Sequence, residues 1–145
     1  MTLAEPVAAQ PRWVADGMLR EPKVCPPGTT VAAARRMFRD EHVHALLVVD
    51  RGVLRAVVER ADLATADPRA AAAGLGALAG RVVRPGADLG AVHREMRRAG
   101  IRRLAVVDDR GRLLGLLCLK RSGRGFCSAD DVRARSAAGV AGRPR

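Results

Sequence analysis

The chain carries its own second copy. PPGTTVAAARRMFRDEHVHALLVVD (Pro26 to Asp50) aligns with RPGADLGAVHREMRRAGIRRLAVVD (Arg84 to Asp108) at an offset of 58 residues. Pro27 meets Pro85, Gly28 meets Gly86, Val31 meets Leu89, Phe38 meets Met96, and Val48-Val49-Asp50 meets Val106-Val107-Asp108. One extra residue in Asp109-Arg110-Gly111, against Arg51-Gly52, keeps Leu54 level with Leu113 and Ala56 level with Gly115. Such self-similarity marks a duplicated supersecondary unit. One unit of this size leaves an apolar sheet face open, and the natural cover is its twin.

Each copy reads alike. Pro-Gly followed by Thr30 or Asp88 predicts a turn and then a helix N-cap, whose side-chain oxygen accepts from an exposed first-turn amide. Val31, Ala34 and Phe38, like Leu89, Val92 and Met96, recur at three- and four-residue steps, the stripe of an amphipathic helix. Asp40-Glu41 and Gly100 are expected to end these helices. ALLVVD and RLAVVD are near-continuous apolar runs, as in strands buried on both faces. Tight hairpin turns then lead into VLRAVV and LLGLLCL as second strands. Arg60 to Ala66 looks helical and stops near Pro68.

These signals predict an α/β fold of two helix-strand-strand-helix units. The expected limits are an N-terminal arm over 1–12, unit 1 over 13–66, an Ala/Gly linker over 67–80, unit 2 over 81–127, and a tail over 128–145 opened by the capping box SADD. A chain of 145 residues buries enough surface to need neither a disulfide nor a metal.

The net charge of +11 invites a nucleic-acid reading. However, Lys23 and Lys120 are the only lysines among 26 basic residues, and the arginines are spread along the chain. Phosphate tracking needs clustered charge, and base stacking needs aromatics, of which there are only Trp13, Phe38 and Phe126. Cys25, Cys118 and Cys127 form no C-x-x-C pair, and His42, His44 and His93 show no ligand spacing to them, which argues against structural zinc. No segment has the length of a membrane span or the layout of a signal peptide, so a cytoplasmic protein is expected. GLGALA (Gly74 to Ala79) satisfies G-x-G-x-x-A but follows a linker rather than a strand, and so fails as a dinucleotide site. No Ser-His-Asp, Cys-His or paired-acid arrangement converges, which argues against an enzyme.

WVADGMLREPKVCPPGTTVAAARRMF…HALLVVDRGVLRAVVERADL resembles a cystathionine-beta-synthase (CBS) domain, and the second repeat resembles its partner in a Bateman module. The resemblance covers about Val14 to Arg121 and includes the P-x-x-T-T-V helix start, the VVD-x-G hairpin and the D-L ending. It implies two units related by a pseudo-twofold axis, a homodimer, and adenosine compounds held in clefts between units. In this family the signature G-h-h-T/S-x-x-D/N (h apolar) ends the second strand. Its acid accepts both ribose hydroxyls, and its hydroxyl residue and helix-start amides hold phosphate.

On this chain the first signature reads Ala56-Val57-Val58-Glu59-Arg60-Ala61-Asp62. Asp62 keeps the acid, while Glu59 stands at the hydroxyl position and should repel phosphate. The second reads Gly115-Leu116-Leu117-Cys118-Leu119-Lys120-Arg121. There Cys118 replaces the hydroxyl residue and Arg121, which cannot accept a hydrogen bond, replaces the acid. The resemblance therefore implies Asp62 as ribose anchor and Val24, Val57 and Val58 around the base. His44, Arg102 and Arg103 would meet phosphate, and Lys120 and Arg121 would favour an anion in the second cleft. The expected function is a non-catalytic regulator that needs no cofactor, binds AMP, ADP, ATP or S-adenosylmethionine, and signals to an effector protein. The alternatives are a ligand-free dimeric scaffold and, further off, a basic nucleic-acid module.

Overall fold

The computed structural model describes residues 12–128. The expected arm, apart from Arg12, and the helix expected from SADD lie outside these residues. The described chain runs α1 (Val14–Gly17), β1 (Val24–Cys25), α2 (Val31–Met37), β2 (Ala45–Asp50), β3 (Val53–Glu59), β4 (Val82–Val83), α3 (Leu89–Ala99), β5 (Arg103–Val107) and β6 (Leu113–Cys118). Single 3-10 turns occur at Arg60–Leu63 and Ala72–Leu75.

The duplication is visible strand by strand. One sheet has the order β1-β2-β3 and the other β4-β5-β6, each with a parallel first pair and an antiparallel second pair. Both hairpins slip register at matching places, between Val48 and Val49 and between Val106 and Val107. The two-residue turn sets both Arg51 and Gly52 at positive φ (53° and 83°), the geometry that matches the twist of a tight hairpin. Thr30 and Asp88 cap α2 and α3 as expected, accepting from Ala33 and Ala91 amides at 3.1 and 2.8 Å.

Three apolar cores explain why the middle strands read as unbroken hydrophobic runs. Val31, Ala34, Phe38, Leu46, Val48 and Val58 pack between the first sheet and α2. Leu89, Met96, Leu104, Val106 and Leu117 do the same in the second unit. The third core joins the units face to face, with Ala45, Leu47, Leu54 and Val57 against Ala105 and Val107. Both faces of each sheet are thus covered, and the aliphatic composition is what such thin layers accommodate.

The covering segments are exchanged. Residues ahead of unit 1 lie on unit 2, where Val14 N–H donates to Ala87 C=O and Leu19 exchanges backbone hydrogen bonds with Leu116 (2.8 and 2.9 Å). Residues ahead of unit 2 lie on unit 1, where Ala72 N–H donates to Thr29 C=O and Ala77 exchanges bonds with Val57 (3.0 and 3.1 Å). The crossings need small residues because backbone approaches side-chain space. A Cβ at Gly76 would sit 2.6 Å from Val57 O, and one at Gly115 would sit 2.5 Å from Leu19 O. The small residue lies on the covering segment in unit 1 and on the strand in unit 2. That is why Ala56 can stand where its counterpart is Gly115.

The closing helices depart from expectation. Arg60 to Ala66 shortens to one 3-10 turn, and nothing helical follows Cys118 up to Ser128. In unit 1 the Asp62 carboxylate accepts the Glu59 N–H at 2.7 Å and nucleates the turn. Arg121 at the matching position cannot accept, and Gly123 takes a left-handed φ of 75°. Among the described residues, no helix is long and apolar enough to cross a membrane.

Candidate functional site

A cavity of about 460 Å³ opens between the units. Its walls include His44 ahead of β2, Glu59 at the end of β3, Gly80 and Arg81 ahead of β4, and Arg102 and Arg103 at the start of β5. Every one of these lies at an end of a strand, where the backbone leaves the ladder and side chains can converge. The second copy contributes most of the cations, and the first contributes the acid.

Arg81 organises this place. Its Nη1 donates to Asp62 Oδ2 at 2.6 Å and its Nη2 to Asp62 Oδ1 at 3.1 Å, a two-pronged pair. The same Nη1 donates to Val57 C=O at 2.8 Å, and Nη2 lies 3.0 Å from Glu59 Oε1. The Asp62 and Arg81 side chains are only 16% and 21% exposed, so solvent screens this pair weakly. Burial alone would push the Asp62 carboxyl upward. The Arg81 hydrogen bond, the Glu59 amide and the Arg81 charge outweigh it and hold Asp62 below its ordinary value. In return the Asp62 hydrogen bond, partly offset by burial and aided by the charges of Glu59 and Asp62, raises Arg81.

A carboxylate offers roughly four acceptor sites across its two oxygens. Oδ2 of Asp62 already takes the Glu59 amide and Arg81 Nη1, and Oδ1 takes Arg81 Nη2. One site remains at Oδ1, so a sugar diol can be gripped by both oxygens only if Arg81 moves away. Glu59, expected to repel phosphate, shares the Arg81 charge with Asp62. Arg102 and Arg103 then tilt the cavity toward anions. Arg102 Nη2 reaches Leu119 C=O at 3.3 Å, while its Nε is buried with no hydrogen-bond partner. An anion could use that donor only after the guanidinium turns.

The structure thus brings together His44, Glu59, Arg102 and Arg103, with Asp62 one side chain behind Arg81. The other expected residues lie elsewhere. Val58 is fully buried in the unit 1 core, Val57 faces the inter-unit core, and Val24 is half-exposed on β1. Cys118 is buried against Cys127, with the sulfurs 3.1 Å apart, and Lys120 and Arg121 are exposed outside the cavity wall. Arg81 is the residue that sequence reading missed. Its counterpart at the repeat offset is Lys23, so a basic residue recurs two positions ahead of the first strand's last residue in both copies.

Comparison with known proteins agrees with the duplicated architecture. The CBS domain family profile matches residues 14–69 and 81–121, so the chain belongs to the CBS-domain family as a tandem pair. A search of curated protein sequences found no match. Among solved structures, the chain is similar to the cytosolic domain of the Mg2+ channel MgtE in complex with ATP (28% identity, TM-score 0.63, 86% of this chain and 48% of that one). The chain therefore spans about half of that channel domain. It is also similar to CBSX2 in complex with AMP (26% identity, TM-score 0.64, 89% and 99% coverage). The cystathionine beta-synthase pair domain of SO5017 from Shewanella oneidensis MR-1 shares the fold (22% identity, TM-score 0.67, 88% and 74% coverage).

Proposed function

We propose that this CBS pair is a non-catalytic regulatory protein of the cytoplasm that binds an anionic adenosine compound in the cavity beside Arg81. The carrying observation is the convergence of Arg81, Arg102 and Arg103 on a cavity of about 460 Å³, with Asp62 behind them. That volume falls in the range of small-molecule sites. The similar structures with AMP and ATP bound support the same ligand class. Phosphate meets Arg102 and Arg103, and the ribose takes Asp62 in exchange for Arg81. AMP, ADP or ATP fits this charge balance better than cationic S-adenosylmethionine. Filling the cavity turns one unit against the other and alters a homodimer or effector surface, a shift limited by the ligand's differential affinity for the two arrangements.

Titration calorimetry with AMP, ADP, ATP and S-adenosylmethionine tests this, on the native chain and on Arg102→Ala/Arg103→Ala. Binding of the nucleotides, weakened at least tenfold in the double variant, is expected. Absence of heat with all four ligands would leave a second reading in place. In that reading the Asp62–Arg81–Glu59 network is a permanent internal strut and the chain is a ligand-free dimeric scaffold. The three hydrogen bonds already held by Asp62, two of them from Arg81, favour it.

A further inference from the structure

Cys118 and Cys127 are both buried, at 4% and 7% exposure, and their sulfur atoms lie 3.1 Å apart. The backbone brings them together independently of the side chains. Cys127 N–H donates to Cys118 C=O at 2.7 Å, Leu119 pairs with Phe126, and Lys120 N–H donates to Gly125 C=O at 2.8 Å. The end of β6 and residues 126–127 therefore run side by side, and the two cysteines face each other across this short hairpin. Closing the sulfurs to the bond length of about 2.05 Å takes roughly 1 Å. Cys25 provides the internal contrast. It packs in the first unit's core, among Val31, Leu46 and Val48, away from the other two.

From this geometry we infer that Cys118 and Cys127 are a reversible thiol–disulfide pair, oxidised by a hydroperoxide. The thiolate of one cysteine attacks the peroxide O–O bond, its sulfur takes a hydroxyl group, and the departing oxygen leaves as water or an alcohol. The second sulfur then attacks the sulfenic sulfur. The S–S bond forms, and the hydroxyl group leaves as water with the second thiol's proton. Two thiols lose two electrons, which the peroxide gains. A small dithiol reverses the step by exchange through a mixed disulfide. Because the thiols are buried, a compact oxidant has access only when the hairpin opens, and reclosure presents the partner sulfur.

The bond would fix the 119–126 hairpin to the end of β6. Leu119 N–H donates to Arg102 C=O at 2.7 Å, so the staple sits one residue from a partner of the cavity wall. The chemistry is independent of any ligand in that cavity.

The test treats the full chain with hydrogen peroxide, unfolds it, alkylates the remaining thiols and weighs the intact protein, with peptide mapping. The expected product has a single alkylated cysteine, Cys25, a Cys118–Cys127 peptide link, and three alkylated cysteines again after dithiol reduction. Cys25→Ser should retain the link with no alkylated residue, and Cys118→Ser should lose it. Three alkylated cysteines in the oxidised native chain would overturn the proposal, as would a link to Cys25, a link between chains, or a sulfinic acid without any link.

Discussion

The two strand ends that the duplication makes equivalent have opposite chemistry. Glu59 ends β3 and Asp62 follows it, both held by Arg81. Cys118 ends β6 and Arg121 follows it, while Lys23 is the repeat counterpart of Arg81. One end has two acids around one cation, and the other has two cations and a thiol pair. The backbone that frames them is the same, down to the register slip in each hairpin. The fold thus fixes where a polar cluster stands, and a few residues at the strand ends decide what it does. The acid-bearing end caps its own turn and ties its carboxylate to Arg81, whereas the basic end forms no helix and sets Cys118 against Cys127.

The comparison can be broken first at the crossings of the covering segments. Gly115→Ala and Gly76→Ala should each cost about 2–3 kcal/mol, because the opposing carbonyl belongs to backbone and cannot step aside. Gly86→Ala, where nothing lies within 4 Å, should stay within about 0.5 kcal/mol. Urea unfolding of the three variants checks both statements. Next is the strand end itself. Asp62→Ala removes a turn cap and leaves Arg81 half-buried, at about 2 kcal/mol, while Arg121→Ala should stay within about 0.5 kcal/mol. Equal costs at the two positions would dissolve the contrast.

Binding sharpens the contrast further. In Arg81→Ala the Asp62 carboxylate is released, so adenosine, which has no phosphate, should bind about tenfold tighter, or roughly 1.4 kcal/mol. AMP should gain less, because Glu59 then faces the phosphate without its counter-ion. Calorimetry with both ligands separates these effects, and an unchanged adenosine affinity would remove Asp62 from ligand binding. The smallest effect is in acid. The folded-state pKa of Asp62 is depressed, so its contribution is complete above the ordinary value of 3.8 and is lost as pH falls through the lower folded value. Asp108 is also held low, first by the Arg112 amide, with burial opposing and the Arg110 amide adding to it. The readout is therefore the difference between native and Asp62→Asn melting temperatures. It should be constant from neutral pH to about pH 5 and shrink below pH 4.

Much of this was legible in the residues, because local rules and tertiary packing agree over most of each unit. Thr30 and Asp88 cap, Gly52 turns, and the ALLVVD and RLAVVD runs are buried on both faces, where period and composition already pointed. The helix after β3 was overestimated because Arg60 to Ala66 has helix-forming residues but only one cap. The helical pattern also carries no sign of the covering segment that competes for the same surface. Asp62 and Glu59 were singled out by the family signature that the chain resembles. Arg81 was not, since a bidentate partner 19 residues away is set by the meeting of two strand ends and has no local periodicity. The Cys118–Cys127 contact was hidden for the same reason: a hairpin of irregular backbone brought together two thiols that no spacing rule pairs.

The exchange of covering segments changes what counts as a module. Residues 20–79 form a continuous piece that already carries the segment covering its own sheet. Unit 2 is assembled from two pieces, 12–19 and 81–128, with the whole of unit 1 inserted between them. During synthesis the first unit has all its parts before the second begins. The stretch ahead of it must wait, its backbone donors and Val14 unsatisfied, until β6 has emerged from the ribosome. A cut near Gly80 would therefore separate a self-sufficient half from one missing a wall, and the pieces would recombine only by threading residues 12–19 back onto β6. Two copies of one unit are thereby interlocked, and residues 12–19, made ahead of unit 1, are among the last to find their place.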